Sequence, residues 1–210
     1  MNLERIKIWD LPVRLFHWLL VALLVAAVVT AKIGGNAMDW HGRIGLCILG
    51  LIVFRIAWGF VGSFHARFAS FWPTPSSLRA YLRGEWKGHG HNPLGALSVL
   101  ALLGLIGMQA VTGLFSNDDI AFSGPLSQWV SAATSSAVTG LHEATAGVIL
   151  TLVALHLVAI AFYVLIKKET LIQPMVSGWK DIPAANSHPP QMNTGRRIAA
   201  LLFSILVALL

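Results

Sequence analysis

The stretch TGLHEATAGVILTLVALHLVAIAFYVLI, residues Thr139–Ile166, decides the fold class of this chain. It is apolar and long enough to cross the hydrocarbon core of a bilayer, roughly 30 Å thick, as one α-helix. It also holds His142 and His156, whose separation of fourteen residues returns both imidazoles to nearly the same helix face, about 21 Å apart along the axis. An ionisable side chain inside a membrane segment is costly, so both histidines are candidate functional residues.

The composition of the whole chain is that of a membrane protein. Its 210 residues are 56% hydrophobic and only 11% charged, and its mean hydropathy is +0.70. A soluble domain carries about 25% charged residues, so the charge here is too sparse to solvate an ordinary globular surface. The net charge of +6 does not indicate nucleic acid as a partner, because the basic residues lie between apolar segments, where they determine topology.

Four apolar segments are predicted to span the membrane as helices of about 20 residues or more. They are Val13–Ile33, Trp40–Gly62, Pro93–Phe115 and Thr139–Ile166. The first is interpreted as a retained span and not as a cleaved signal peptide, because its apolar run is long and no convincing cleavage site follows.

A fifth apolar run, Ile198–Leu210, corresponds to roughly 20 Å of helix and is too short to span a bilayer. It could be a half-span, a packing helix or a shortened span. The predicted fold is therefore all-α, a transmembrane four-helix bundle with a short fifth C-terminal apolar helix. We expect one transmembrane domain at residues 1–180 and a linker with the short helix at residues 181–210.

The basic residues predict the orientation of the spans, because cytoplasmic loops carry an excess of Lys and Arg. Thirteen of them fall on one side: Arg5, Lys7, Arg14, Arg55, Arg67, Arg79, Arg83, Lys87, Lys167, Lys168, Lys180, Arg196 and Arg197. Only Lys32 and Arg43 fall near the other side. The N-terminus is therefore predicted to be cytoplasmic.

Two loops are predicted to contain short helices. In the cytoplasmic loop, Ser76 and Ser77 follow two prolines and could cap a helix that lies on the inner leaflet. The outer loop, Ser116–Thr139, contains a Gly–Pro pair and is expected to include another short surface helix.

Two more histidines lie at the ends of predicted spans and complete two pairs. His17 lies near the cytoplasmic end of the first span, and His41 lies at the outer start of the second. Since the fourth span runs inward, the depths match His17 with His156 and His41 with His142. A hydrogen-bonded structural histidine is the alternative at each position, but two pairs matched in depth favour metal ligation.

The donor set favours haem over zinc. A zinc site takes four ligands, often cysteine or carboxylate among them, but each level here offers two histidines, and Glu143 is the only acidic residue clearly inside a span. Two imidazoles suit the axial positions of haem, whose porphyrin supplies the other four nitrogens. With both axial positions filled, the expected chemistry is one-electron transfer.

The single cysteine, Cys47, limits the cofactor chemistry. One cysteine forms no intrachain disulfide and no four-cysteine iron–sulfur site, and the C-x-x-C-H attachment signature of c-type haem is absent. Any haem is therefore expected to be bound non-covalently.

Two arginines are candidates to pair with haem propionates. Arg55 lies fourteen residues after His41 and shares its helix face at the cytoplasmic level, and Arg14 lies at the start of the first span. The alternative for both is an arginine that snorkels to the membrane surface or sets the topology.

The remaining histidines, His65, His89, His91 and His188, lie in polar loops or at span ends, where solvated histidine is the ordinary interpretation. His89 and His91 precede the third span at the inner interface, where a quinone head group could bind.

With these residues identified, the chain resembles the bacterial cytochrome b561 family, which includes the b-type cytochrome subunits of nickel–iron hydrogenases. The resembling stretches are Ile8–Trp18 (IWDLPVRLFHW), His41–Gly45 (HGRIG), Gly90–Ala96 (GHNPLGA), Thr112–Phe115 (TGLF), His142 with His156, and Met175–Gly178 (MVSG). They extend over about residues 6–180. The resemblance implies a four-helix membrane bundle that binds two b haems through His17, His156, His41 and His142.

The resemblance also implies a function. Members of the family pass electrons between a quinone pool and a partner, so we expect a multi-pass protein of the bacterial inner membrane that serves a periplasmic redox protein such as a hydrogenase or a c-type cytochrome. An electron-transfer subunit of an oxidoreductase system is favoured over a stand-alone enzyme.

Two alternatives remain at this stage. A superoxide oxidase that reduces quinone would need a cationic outer face, whereas the outer loops carry few basic residues and include Asp118 and Asp119. A non-haem membrane transporter would be expected to have Gly- or Pro-broken helices, but the four spans are largely free of proline.

Overall fold

The computed structural model describes residues 3–88, 90–120, 122–183 and 194–209. The predicted all-α class is confirmed, with four long apolar helices and a short C-terminal one. The helices are α1 (Leu11–Ile33), α2 (Ala37–Val61), α3 (Phe68–Phe71), α4 (Pro75–Leu82), α5 (Pro93–Phe115), α6 (Ala132–Leu165), α7 (Ile172–Ser177) and α8 (Thr194–Leu209). Of the histidines singled out above, His89 and His188 lie outside the described residues.

The four long helices, α1, α2, α5 and α6, are each long and apolar enough to cross a membrane. Many of their apolar side chains are exposed, among them Val25 at 60%, Leu157 at 60% and Val158 at 65%. Exposed valine and leucine along a whole helix are unfavourable in water and are accommodated in the hydrocarbon of a bilayer.

The fourth long helix begins earlier than predicted, at Ala132 instead of Thr139. Ser131 starts it, because its Oγ accepts a hydrogen bond from the Thr134 backbone N–H at 3.1 Å, as an N-cap residue does. The short surface helix expected in the preceding loop is a single 3₁₀ turn, Ser127–Trp129.

The short helix α4 is present, but its cap differs from the prediction. Thr74 caps it, and not Ser76 or Ser77: the Thr74 Oγ1 accepts from the Ser77 backbone N–H at 3.1 Å, and the Ser77 Oγ accepts from the Thr74 N–H at 3.0 Å. This reciprocal pair is a capping box. A hydrogen bond between the hydroxyls of Tyr81 and Tyr163 connects α4 to α6.

The chain forms two compact units. Unit 1 consists of Met1–His17, Val53–Leu100 and His156–Leu210, and unit 2 consists of Trp18–Ile52 and Ala101–Leu155. Because all four long helices pass through both units, each unit contains one segment of each helix. His17 and His156 belong to unit 1, whereas His41 and His142 belong to unit 2.

Unit 1 contains a two-stranded sheet that the sequence patterns did not predict. Strand β1 (Leu3–Lys7) pairs antiparallel with β2 (Trp179–Pro183), with Ile6 opposite Lys180 and Arg5 opposite Asp181. The predicted domain boundary at residue 180 therefore falls inside β2.

Gly178 connects α7 to β2 and contacts the N-terminal segment. Its carbonyl accepts hydrogen bonds from the backbone N–H groups of Ile8, at 2.9 Å, and Trp9, at 3.2 Å. Its φ of 90° is left-handed, and a Cβ at this position would lie 2.7 Å from the Trp9 carbonyl oxygen. The position therefore requires glycine.

The short helix α8 packs against other elements within unit 1. Its Ala200 is part of the buried cluster that also contains Ile8, Trp9 and Trp58, and its Ser204 is fully buried. Of the interpretations left open for the fifth apolar run, packing against the rest of the chain is the one observed.

Asp10 links the start of α1 to α2. Its Oδ1 accepts a hydrogen bond from the Val13 backbone N–H at 2.9 Å, and its Oδ2 accepts one from the Trp58 indole N–H at 3.0 Å. Trp58 is only 2% exposed, so Asp10 supplies the hydrogen-bond partner that a buried indole requires.

We predict that Asp10→Ala destabilises the protein by about 2 kcal/mol, since it removes a helix cap and leaves a buried indole donor without its acceptor. Thermal unfolding of the detergent-solubilised protein measures the change. Asp181→Ala is the matched control, because it removes only the exposed ion pair with Arg5 at 3.9 Å, and exposed ion pairs contribute little. Equal effects of the two substitutions would contradict the prediction.

Candidate functional site

The imidazoles of His41 and His142 lie next to each other in unit 2. Their ring centres are 6.2 Å apart, and their planes are nearly perpendicular, at 84°. Both residues are half-buried. The structure therefore brings together the two side chains that the depth argument paired.

One ring nitrogen of His41 is held by the backbone of α1. The Nδ1 lies 2.9 Å from the carbonyl oxygen of Ala27. Because a carbonyl only accepts hydrogen bonds, Nδ1 carries the proton and donates it. The other nitrogen, Nε2, is then the one with a free lone pair.

One ring nitrogen of His142 is held by a side chain of α5. Its Nδ1 lies 3.1 Å from the Thr112 hydroxyl, and that hydroxyl donates its own hydrogen to the Gln109 carbonyl at 3.0 Å. The Thr112 oxygen therefore accepts from the His142 Nδ1–H, and the Gln109 backbone carbonyl also acts on this ring. This assignment leaves the Nε2 of His142, like that of His41, with a free lone pair.

A further pair of hydrogen bonds fixes the backbone at His142. The Gln109 amide donates to the His142 carbonyl at 2.9 Å, and the Thr145 hydroxyl hydrogen-bonds the Gln109 Oε1. Sequence reasoning missed Gln109 and Thr145 as site residues and placed Thr112 only within a family motif. Their one sequence signal is that they are polar residues inside apolar helices.

This arrangement has the donor chemistry that a bis-histidine haem requires. Histidines that bind a metal almost always donate the other ring N–H to a carbonyl or a similar acceptor, as His41 and His142 do. The 6.2 Å between the two ring centres leaves room for a metal that both imidazoles would hold. Among the described residues, no group of three or more His, Cys, Asp or Glu side chains is arranged to hold a metal by itself.

The glycines near this pair differ in their surroundings. A Cβ at Gly113 would lie 3.2 Å from the Cε1 of His142, so the missing side chain leaves room for the ring. A Cβ at Gly45, one turn after His41, would have no heavy atom within 4 Å, which does not support close helix packing there. Gly147 is exposed and lies about 140° around α6 from His142, so it does not line this pair.

His17 and His156, the second expected pair, both lie in unit 1. Both are half-buried, and their rings are close enough for the charge of one to act on the other. His17 lies on α1 seven residues after Asp10, so the hydrogen bonds of Asp10 fix the start of the helix that carries it.

Arg55 is a buried cation in the same unit. It is 3% exposed, and its guanidinium lies 5.0 Å from the centre of the Phe68 ring. The Asp10 carboxylate interacts with it electrostatically. Its Nη1 is buried and has no hydrogen-bond partner in the described part of the chain. A buried guanidinium with an unused donor suits an anionic group such as a haem propionate.

One nitrogen of the Arg14 guanidinium already makes a hydrogen bond to the protein. Its Nη2 donates to the backbone carbonyl of Val176, so this arginine helps to hold the segment that contains α7. Its Nε is buried and makes no hydrogen bond to any described residue. The structure thus gives Arg14 a structural contact in addition to the role expected from the sequence.

His91, directly before α5, is enclosed by aromatic rings. Its ring centre lies 4.6 Å from that of Trp9 and 4.6 Å from that of Phe71. Burial, followed by the positive charge of Arg55 and of neighbouring histidines, lowers the pKa of His91 to about 3. It is therefore neutral at physiological pH, and its Nδ1 is buried without a hydrogen-bond partner among the described residues.

Comparison with known proteins identifies the family. The model for prokaryotic cytochrome b561 matches residues 8–178. A probable Ni/Fe-hydrogenase B-type cytochrome subunit of Azotobacter chroococcum mcd 1 is 25% identical over 214 residues, covering 83% of this chain and 88% of its own. The protein of the same name from Azotobacter vinelandii is 24% identical over 216 residues, with coverage of 83% and 88%. No solved structure matches the chain.

The family match begins directly after β1 and extends through all four long helices to α7, and it includes both histidine pairs. The chain therefore belongs to the prokaryotic cytochrome b561 family, as a multi-pass membrane cytochrome with a role in haem electron transfer.

Proposed function

We propose that this protein binds two non-covalent b haems and carries electrons across the bacterial inner membrane, between the quinone pool and a redox partner on the outer face. His41 and His142 ligate the outer haem, and His17 and His156 ligate the inner one. The observation that carries the proposal is the pair in unit 2, whose rings lie 6.2 Å apart with each Nδ1 hydrogen-bonded to the protein.

The protein's own residues prepare the outer site for a metal. The Ala27 carbonyl and the Thr112 hydroxyl fix the Nδ1–H tautomer of their histidines. Each Nε2 is thereby kept as a lone-pair donor, with no proton to lose on ligation. The bound haem supplies one-electron chemistry, and two histidine ligands leave no open position for dioxygen.

At the inner site, the buried Arg55 and the half-buried Arg14 are candidates to pair with haem propionates. Arg55 has the stronger case, because it is almost fully buried and its Nη1 has no partner among the described residues. Arg14 offers its buried Nε, while its Nη2 is occupied by Val176.

The partner and the orientation complete the proposal. The two relatives from Azotobacter are named as cytochrome subunits of Ni/Fe-hydrogenase, which supports a redox protein as the partner of this chain. The excess of Lys and Arg on one side of the spans supports a cytoplasmic N-terminus and therefore an outer location for His41 and His142.

The first test is the haem content of the purified protein. We expect a b-type reduced-minus-oxidised spectrum and two haems per chain. His142→Ala should retain one haem, because it removes a ligand of the outer site only, and His65→Ala, at a histidine outside both pairs, should retain two. A wild-type protein with no haem, or a His142→Ala variant with two, would overturn the proposal.

A redox titration tests the role of Arg55. A buried cation stabilises an added electron, so Arg55→Met should lower the midpoint potential of the inner haem by about 59 mV or more, which is tenfold in a one-electron equilibrium. Arg79→Met, at an exposed position on α4, is the matched control. The same titration curve for both variants would exclude Arg55 as a propionate partner.

We further propose that quinone binds beside His91 at the cytoplasmic end. A neutral imidazole can donate a hydrogen bond to a quinone carbonyl, and the Nδ1 of His91 is buried without a partner among the described residues. The rings of Trp9 and Phe71, each centred 4.6 Å from the ring of His91, offer flat apolar surfaces for a quinone ring. His89, which was also considered, lies outside the described residues.

His91→Phe tests this quinone site. The variant keeps a flat ring beside Trp9 and Phe71 but has no hydrogen-bond donor, so we expect at least about a tenfold loss in the rate of haem reduction by quinol. Haem content and spectrum should remain those of the wild type, which serves as the internal control. A quinol reaction of unchanged rate would place the quinone elsewhere.

A further inference from the structure

We propose that Thr112 is a positioning residue for the outer haem: its hydroxyl fixes the ring of His142 and sets the midpoint potential of the haem that His142 ligates. The proposal rests on the proposed function, because it concerns how the protein tunes one of the two haem sites. Its geometry is the 3.1 Å contact between the Thr112 hydroxyl and the His142 Nδ1.

Thr112 is well placed to act on His142 in a defined direction. It is 8% exposed, so water does not replace its hydroxyl readily. The hydroxyl hydrogen is committed to the Gln109 carbonyl at 3.0 Å. The Thr112 oxygen can therefore only accept from His142, which excludes the opposite tautomer of the ring.

The hydrogen bond has an electronic consequence at the metal. An imidazole that donates its Nδ1–H to an acceptor is a more basic ligand through Nε2. A more basic ligand stabilises the oxidised iron more than the reduced iron and lowers the midpoint potential. Loss of the Thr112 hydroxyl is therefore expected to raise the potential of the outer haem.

Thr112 is also held rigidly. Gln109, one turn before it on α5, donates from its side-chain amide to the His142 carbonyl at 2.9 Å and hydrogen-bonds the Thr145 hydroxyl on α6. These bonds fix α5 and α6 to each other at the level of the ring. The Thr112 hydroxyl thus contacts His142, whose backbone is itself held by hydrogen bonds. The orientation of the His142 ring is therefore determined by contacts within unit 2.

Gly113 supports the same assignment. A Cβ there would lie 3.2 Å from the His142 Cε1, so the residue after Thr112 leaves the space that the ring occupies.

By contrast, the Nδ1 of His41 is held by a backbone carbonyl, that of Ala27, which no side-chain substitution removes. At this site, the hydrogen bond of the His142 Nδ1 is therefore the one that a side-chain substitution, at Thr112, can remove.

The experiment compares Thr112→Val with Thr112→Ser in the full-length protein. The valine variant keeps the shape of threonine but cannot accept from His142. We expect the midpoint potential of the outer haem to rise, its electron paramagnetic resonance signal to shift, and its release to an acceptor haem protein to increase about 10- to 100-fold. The inner haem should be unchanged. Thr112→Ser, which keeps the hydroxyl, should restore the wild-type values.

Thr151→Val is the matched control, since the Thr151 hydroxyl donates to the Gly147 carbonyl of its own helix and is exposed. The His142→Ala variant, which retains the inner haem alone, identifies which titration step belongs to the outer haem. If Thr112→Val does not accumulate in membranes, Thr112→Ala against Thr112→Ser makes the same comparison.

The outcomes separate this inference from the proposed function. A wild-type protein without two haems defeats the proposed function. Two haems in the wild type, with an unchanged outer potential, signal and release rate in Thr112→Val, defeat the role of Thr112 alone. A serine variant that behaves like the valine variant also defeats it, because the hydroxyl would then not be the group that matters.

Discussion

The histidine sites depend on one constraint. Both ring nitrogens of an imidazole in an apolar helix need a partner, because no water is available there. In unit 2 the protein satisfies one nitrogen of each ring: the Ala27 carbonyl accepts from His41, and the Thr112 hydroxyl accepts from His142. This leaves one lone pair on each of two rings that stand 6.2 Å apart. The polar side chains in the otherwise apolar helix α5 are explained by the same need, because Gln109 and Thr112 serve the histidine on α6.

A second set of contacts shows why the N-terminal motif has its composition. Asp10 caps α1 and accepts from the indole of Trp58, and its carboxylate also acts on the buried Arg55. The buried indole needs a hydrogen-bond acceptor, which the Asp10 carboxylate supplies directly, and the negative charge of the same carboxylate acts on the buried guanidinium. The start of α1, and with it the position of His17, is therefore fixed by residues that are far apart in the sequence but adjacent in unit 1.

The sequence allowed the four long helices to be predicted because hydropathy over about 20 residues is a local property. The hydropathy pattern did not predict the start of α6, because the serine and threonine residues after Ser131 lower the hydropathy of a segment that is nevertheless helical. It also missed β1, whose partner strand is more than 170 residues away along the chain. The proximity of His41 and His142 followed from depth alone, whereas the contact with Thr112 depends on how α5 and α6 are rotated, which hydropathy does not report.

The two histidine pairs differ in the charge of their surroundings. In unit 1 the buried cation Arg55 and the partly engaged Arg14 accompany His17 and His156. In unit 2 the groups that contact the histidine rings are neutral, a carbonyl and a hydroxyl. Positive charge in a medium of low dielectric constant stabilises an added electron. The same cofactor would therefore experience a different electrostatic environment at each histidine pair.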